Sequence, residues 1–404
     1  MMLFIVRMRL PMSASAKRSA GLPGSPPGHT PWSRWAAVLG KVVLTFALGG
    51  AGGWVLAQVG APAPWLTGSM LAVAAAALSG LPLAMPTWIR TLAFVLLGIS
   101  IGSAVTPEAL GEVQAWPGSV CLLLLAVGAT TAASAFHLTR VRGWDVMTAR
   151  YCSLPGALSQ VLVLAMRSGA DLPRIVLAQS LRVFVLVALL PWLIPAQGEV
   201  GPAPIHAAVE LTIAGTAAML MAGLATGVLF DRLGIPGGAL LGGMIASAVL
   251  HGTGMLEGRL PGPLPLAAFV ATGCVIGLRF RGASLFRMRA TVRGGLESVA
   301  IAIVITAGFA LGAHYWLGLP YGQLWLAYAP GGVEAMAIMA FALGFDPAFV
   351  GGHHVIRIIA INLVIPLWLR GSGSGQSGLS ASNQAPMAIG GGQDNKNDHK
   401  PPDP

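Results

Sequence analysis

Two arginines lie deep inside apolar segments, where a charged side chain is costly. Arg182 lies within the apolar run 177–190, and Arg357 follows 175 positions later in a similar setting. An arginine at the centre of a membrane helix costs about 2.5 to 3.5 kcal/mol on insertion scales, so each should face a cavity, a partner or a bound anion. The alternative is structural, with each guanidinium satisfying carbonyl groups left free by a nearby break in the backbone. Both roles stay open.

One carboxylate accompanies these arginines. Glu334 is the only acid in its apolar segment, and the position 175 residues earlier is Ser159, followed by Gln160. Inside a membrane such a carboxylate could take up a proton as a coupling site, or could pair with Arg357. A permanent ion pair that locks the segment is the structural alternative.

Proline and glycine interrupt the same apolar segments. Pro155-Gly156 and Pro330-Gly331-Gly332 each precede a helical stretch, and the N–H groups at such a helix start would attract an anion if they lay within the membrane. Pro-Gly also occurs at ordinary helix starts. The predicted substrate-binding residues are Pro155, Gly156, Ser159, Gln160, Arg182, Pro330, Gly331, Gly332, Glu334 and Arg357.

The sequence offers little for catalysis or metal binding. His353 and His354 are adjacent, so on a helix they would point about 100° apart and chelate poorly. The three cysteines are scattered, and no catalytic triad order, CxxC, phosphate-binding loop or HExxH pattern occurs. We therefore expect no catalytic residues, no metal and no cofactor, and a protein that is not an enzyme.

Composition places the chain in a membrane. Only 9% of residues are charged, against about 25% in soluble domains, and mean hydropathy is +0.74. The net charge of +10 comes from arginines and lysines in the N-terminal tail and short loops, as cytoplasmic retention of positive charge produces. The expected partners are the lipid bilayer and a small-molecule substrate, without direct nucleic-acid binding. The sequence does not exclude a homo-oligomer.

The chain repeats itself. Gly60-Ala61-Pro62 recurs as Gly234-Ile235-Pro236, and prolines, glycines and Arg182 recur at an offset of 174 or 175. This predicts two membrane repeats, 34–197 and 198–370, between a disordered basic tail, 1–33, and a disordered polar tail, 371–404. Two matching GxxxG patterns should pack helices closely between the halves: Gly98, Gly102, Gly273 and Gly277.

Loop charge predicts that the halves are inverted. In the first half the arginines follow the fourth apolar segment, whereas in the second half they follow the third. Inversion requires an odd number of crossings per half, so we predict an all-α polytopic protein of about ten transmembrane helices. The fifth segment of each half, containing the Pro-Gly break, would be re-entrant. Both termini would be cytoplasmic. Twelve crossings in parallel halves is the competing arrangement.

These residues resemble the AbrB family of bacterial membrane proteins, which is built on the AbrB duplication. The resemblance rests on Gly60-Ala-Pro62-x-x-x-Leu66-x-Gly68-x-Met70, its counterpart Gly234 to Met244, Leu154-Pro155-Gly156 and Ala329-Pro330-Gly331-Gly332-Val-Glu334. It covers about 35 to 370. It implies a multi-pass protein of the bacterial inner membrane, and such families carry two inherited labels, regulator of gene expression and ammonia monooxygenase.

Three functions follow as hypotheses. Inverted halves, broken segments and intramembrane charges are typical of a secondary transporter or permease, here for a small metabolite, with anions among the candidates. The family label suggests instead a membrane-embedded regulator that changes gene expression indirectly. A monooxygenase is disfavoured, because the sequence offers few metal ligands.

Overall fold

The computed structural model describes residues 31–103, 116–155, 158–166, 168–194, 210–284 and 289–370. Within these ranges the chain forms fourteen α-helices and no named strand. The predicted tails lie outside the described residues, except that the first helix begins at Pro31, within the N-terminal tail. Gly156 also lies outside the described residues.

The helices divide evenly between the two parts of the chain. The first seven are α1 (Pro31–Gln58), α2 (Pro64–Leu78), α3 (Thr87–Gly102), α4 (Trp116–Phe136), α5 (Val146–Ser153), α6 (Leu158–Ala165) and α7 (Leu172–Leu193). The second seven are α8 (Ile213–Arg232), α9 (Gly238–Gly252), α10 (Pro263–Gly277), α11 (Arg289–Leu317), α12 (Tyr321–Tyr328), α13 (Val333–Ala342) and α14 (Pro347–Arg370). A π-helical turn, His137–Val141, extends α4, and a 3₁₀ turn, Leu278–Phe280, extends α10.

Seven of these helices are long and apolar enough to cross a membrane: α1, α4, α7, α8, α10, α11 and α14, the fourth and tenth counted with their extensions. The prediction of an all-α polytopic membrane protein is confirmed. Four shorter apolar helices, α2, α3, α9 and α13, lie among them. Ten crossings would require α2, α3 and α9 to cross as well, and that number stays a prediction.

Each half contains a pair of short helices that folds back on itself. In the second half Asp346 N donates to Gln323 Oε1 near the start of α12, while Arg357 donates to Ala329 O at its end. Helix α12 therefore runs beside α14 in the same direction. Because α13 returns the chain from Gly332 to Asp346, α12 and α13 form a hairpin with both ends on the same side.

Proline causes the break at the hairpin tip. Ala329 N makes the last helical hydrogen bond, to Trp325 O, and Pro330 has no N–H with which to continue. The residue before a proline is pushed out of the helical region. Ala329, with ψ 135°, and Leu154, with ψ 122°, both obey this rule.

The first half repeats this hairpin at the same spacing. Asp171 N donates to Thr148 Oγ1, and Arg182 donates to Leu154 O, each pair 175 positions before its counterpart. Both fifth segments thus have the helix–break–helix form expected of a re-entrant segment. Their insertion in a bilayer, and the duplication itself, stay predictions.

Helices from opposite halves pack closely through glycine. Helix α3 lies against α9, and a Cβ added at Gly98 would collide with the Leu240 carbonyl oxygen. Helix α10 lies against α2 in the same manner, and a Cβ at Gly277 would lie 2.7 Å from Met70 O. A Cβ at Gly102 or at Gly273 would likewise collide with backbone of the facing helix, at Met244 and Leu66. Any larger residue would push the backbones apart.

The arginine-rich loops meet at one end of the bundle. Arg142, which follows α4, forms an ion pair with Glu297 in α11, and His137 Nε2 lies 2.8 Å from the same carboxylate. At the other end the start of α4 meets the end of α11, since a Cβ at Gly118 would lie 3.1 Å from the Leu317 side chain. Equivalent loops of the two halves therefore lie at opposite ends of the bundle, as the inverted arrangement requires.

Candidate functional site: two arginine-bound hairpin tips

Arg357 binds the tip of the second hairpin. Its Nη1 donates to Ala329 O and its Nη2 to Gly331 O, both at 2.7 Å, and the residue is 1% exposed. Its Nε is buried without a hydrogen-bond partner among the described residues. The guanidinium therefore joins α14 to the end of α12.

Arg182 binds the first hairpin in a similar way, sharing the contact to Leu154 O, the counterpart of Ala329 O, but using a different second acceptor. Its Nη1 donates to Cys152 O at 3.3 Å and its Nη2 to Leu154 O at 3.2 Å, with 6% of the residue exposed. These hydrogen bonds are longer than those of Arg357.

The hydrogen bonds explain how two buried arginines are tolerated. The last carbonyl groups of a helix have no partner within it, and they carry the negative end of its dipole. Each guanidinium supplies both donors and charge at that point. Neither arginine forms an ion pair with any described acid, and the charges of Arg182 and Arg357 lie near enough to repel each other.

A second pair of hydrogen bonds, missed in the sequence, supports each hairpin. Gln179 Nε2 donates to Tyr151 O at 3.0 Å, and His354 Nε2 lies 3.0 Å from Leu326 O. These two pairs are again 175 positions apart. The sequence could have indicated them, since Gln179 and His354 each precede an inward arginine by one helical turn and hence lie on the same face.

The adjacent histidines point to different partners. His353 Nε2 lies 3.0 Å from Ser119 Oγ and its Nδ1 lies 2.8 Å from Phe349 O, while His354 faces α12. Ser119 Oγ in turn lies 3.0 Å from the Tyr328 hydroxyl. The described residues contain no group of three or more His, Cys, Asp or Glu side chains that could hold a metal ion.

Glu334 interacts with a different arginine from the one anticipated. Glu334 lies in the first turn of α13 and is partly buried. Its carboxyl carbon would lie 3.9 Å from a Cβ added at Gly237, before α9. Its charge acts on Arg279, which also feels Arg90, and no ion pair joins Glu334 to Arg357 in the described chain. Arg279 is one of the arginines that follow the third apolar segment of the second half, and its interaction with Glu334 was not predicted from the sequence.

The other predicted residues divide into two groups. Pro155, Pro330, Gly331 and Gly332 all lie at the hairpin tips, and Gly332 begins α13 without a side-chain cap. Ser159 and Gln160 lie in α6, but their side chains are outside the described structure, as is Gly156. The structure thus places the predicted residues of the second half around one hairpin tip: Pro330, Gly331, Gly332, Glu334 and Arg357.

Both hairpins lie within a region that a protein-family model recognises. The model described as "Transition state regulatory protein AbrB" matches residues 65–372, about three quarters of the chain. The chain belongs to the AbrB family. The matched part of this AbrB-family protein runs from α2 to the end of α14.

Two relatives are similar along most of their length. A protein of Escherichia coli (strain K12) named "Putative regulator AbrB" is 27% identical over 316 residues, which are 76% of this chain and 88% of the relative. A protein of Bacillus subtilis (strain 168) named "Uncharacterized protein YhjN" is 24% identical over 357 residues, which are 80% of this chain and 91% of the relative. Both alignments are longer than either half of this chain, so each extends over both halves.

Proposed function

We propose that this AbrB-family protein is a secondary transporter or permease for a small anionic metabolite, and not an enzyme. The observation that carries the proposal is the pair of broken hairpins, each bound at its tip by a buried arginine. Transporters place substrate sites where discontinuous helices meet near the bilayer midplane. In this proposal the protein lies in the bacterial inner membrane with both termini in the cytoplasm.

The charges around the second tip favour an anion. Gly332 leaves the first N–H groups of α13 without a side-chain cap, so the positive end of the helix dipole is available. Arg279 adds a positive charge that interacts with Glu334, and Arg90 acts in turn on Arg279. Because Arg182 and Arg357 already bind carbonyl oxygens, they position the hairpins, and we assign anion contact to the start of α13 and to Arg279.

Glu334 makes the two hairpin tips chemically different. The first half has Ser159 at the equivalent position, so only the second tip carries a carboxylate. Intramembrane acids of this kind commonly serve as proton relays in transporters. We propose that Glu334 takes up a proton when the anion is carried, with Arg279 responding to its change of charge.

Transport can be tested directly on purified protein. A thermal-shift screen with a panel of small carboxylates should find a ligand, which at 100 times its dissociation constant adds about 2.7 kcal/mol of stability. Uptake of that labelled carboxylate into proteoliposomes should then occur, and should be lost in Glu334→Gln. Uptake equal in protein-free vesicles would refute the proposal.

The family description favours a second candidate, a membrane-embedded regulator that acts indirectly. Both the matching model and the Escherichia coli relative carry the word regulator or regulatory in their names. Such a protein would change transcript levels when deleted, without any carboxylate flux in vesicles. No contact with nucleic acid is proposed in either case.

A further inference from the structure

A basic pocket lies away from the hairpin tips, at the arginine-rich end of the bundle. It has a volume of about 350 Å³ and lies between the segment after α4 and the first turn of α11. Its lining consists of Arg142, Trp144, Arg289, Ala290 and Arg293. Neither the proposed transport site nor the hairpins contribute a residue to it.

Positive charge exceeds negative charge in this pocket. Glu297 is the carboxylate bound here, and it pairs with Arg142 and lies 3.5 Å from Arg293 Nε. Three arginines therefore face one carboxylate, which leaves an excess of two positive charges. Arg289 is exposed and forms no ion pair with the described residues, so its guanidinium is available for an anion.

Trp144 forms a rigid wall of the pocket. Its ring packs against Gly294, where an added Cβ would lie 2.6 Å from Cζ2, and Arg174 lies over the ring at 5.0 Å. Arg174 is held in turn by Asp171, at 3.4 Å. Tryptophan is enriched at membrane interfaces, where its ring lies at headgroup level.

Apolar side chains are exposed on both sides of this basic segment. Phe136, Val141 and Val146 are 65%, 62% and 44% exposed, and they flank Arg142 and Trp144 along the chain. Exposed apolar groups beside a basic pocket match the two parts of a phospholipid, its acyl chains and its headgroup. Arginine binds phosphate through paired, charge-assisted hydrogen bonds.

We propose that this pocket binds the phosphate of an anionic phospholipid. The occupant is a lipid rather than a free anion because exposed apolar side chains, Val141 and Val146, flank the lining residues Arg142 and Trp144 along the chain. Basic pockets between transmembrane helices bind such headgroups elsewhere. The bound lipid would hold the start of α11 beside the end of α4.

Nanodiscs of defined composition test this site. The melting temperature should be higher in phosphatidylglycerol than in phosphatidylcholine, and native mass spectrometry should detect retained phosphatidylglycerol. The double variant Arg289→Gln/Arg293→Gln should lose the melting difference and retain about a hundredfold less lipid, since each lost charged hydrogen bond is worth at least about tenfold. Arg289→Gln alone, which breaks no ion pair, should give part of the loss.

Arg232→Gln is the matched control, because Arg232 is exposed at the end of α8, away from this pocket. It should keep the full preference for phosphatidylglycerol. Inorganic phosphate added to phosphatidylcholine nanodiscs should have no effect. If phosphate alone stabilises the protein equally, or if the double variant keeps the lipid preference, the proposal is overturned.

Discussion

Arg357 on α14 donates a 2.7 Å hydrogen bond to the carbonyl oxygen of Ala329, where α12 ends. Arg357 is 1% exposed. Its acceptor, Ala329 O, lies at the end of α12, because Pro330 has no N–H with which to continue the helix. One guanidinium thus replaces the hydrogen bonds that the break removes. Arg182 and Leu154 stand in the same relationship at the first hairpin.

Removing either arginine should destabilise the fold. We expect Arg357→Ala to cost about 2 to 5 kcal/mol, since Gly331 O would lose its guanidinium donor and Ala329 O would keep only the Gly331 N–H. Arg182→Ala should cost less, because its hydrogen bonds are longer. Thermal unfolding in detergent, followed by tryptophan fluorescence, would measure both, with Arg232→Ala as the exposed control. An Arg357→Ala protein that melts like the parent but binds no ligand would show that the arginine serves the substrate instead.

The contact between α3 and α9 should not tolerate a methyl group. Gly98→Ala should lose about 1 to 3 kcal/mol of stability, because the new Cβ would collide with the Leu240 carbonyl oxygen. Gly128→Ala, in α4, is the matched control, since nothing lies within 4 Å of a Cβ there. That control should be neutral or gain up to about 1 kcal/mol from helix propensity. Equal melting temperatures for the two variants would contradict the close packing.

Side-specific labelling should reveal the inverted arrangement. In a background without Cys121, Cys152 and Cys274, single cysteines at Arg140 and Arg293 should react with a membrane-impermeant maleimide from the same side. A cysteine replacing Tyr315, which is 80% exposed near the end of α11, should react from the other side. The reason is that α11 has 29 residues, or about 43 Å, and so spans the bilayer. Labelling of all three positions from one side would exclude this topology.

Glu334 and Arg279 should act as a coupled pair on ligand binding. Glu334→Gln should melt close to the parent, since Glu334 is partly exposed and forms no ion pair or hydrogen bond with the described residues. Glu334→Gln should keep or increase the thermal shift given by a bound carboxylate, because the neutral amide resembles the protonated acid, whereas Arg279→Gln should reduce it. The effect of the double variant should depart from the sum of the two single effects. Strict additivity would show that the two groups serve ligand binding independently.

Much of this architecture could be predicted locally. Apolar segment lengths specify an all-α membrane protein, because a helix alone satisfies its backbone within lipid. Pro155 and Pro330 end α5 and α12 for reasons confined to neighbouring residues. The swap of arginine-rich loops between the halves indicated which ends of the bundle lie together, and the Arg142–Glu297 ion pair places them so.

The partners of the charged groups could not be predicted in this way. Sequence spacing suggested that Glu334 pairs with Arg357. The Arg357 guanidinium instead binds the carbonyl groups of Ala329 and Gly331, and the charge of Glu334 acts on Arg279. Periodicity assigns a residue to a helix face, whereas its partner depends on how the hairpin folds back against α14. The sequence by itself therefore determined which residues are buried and where the helices break. Only the tertiary structure decided which buried groups meet, because carbonyls freed at a break compete with a carboxylate for the same donor, and the fold brings the carbonyls closer.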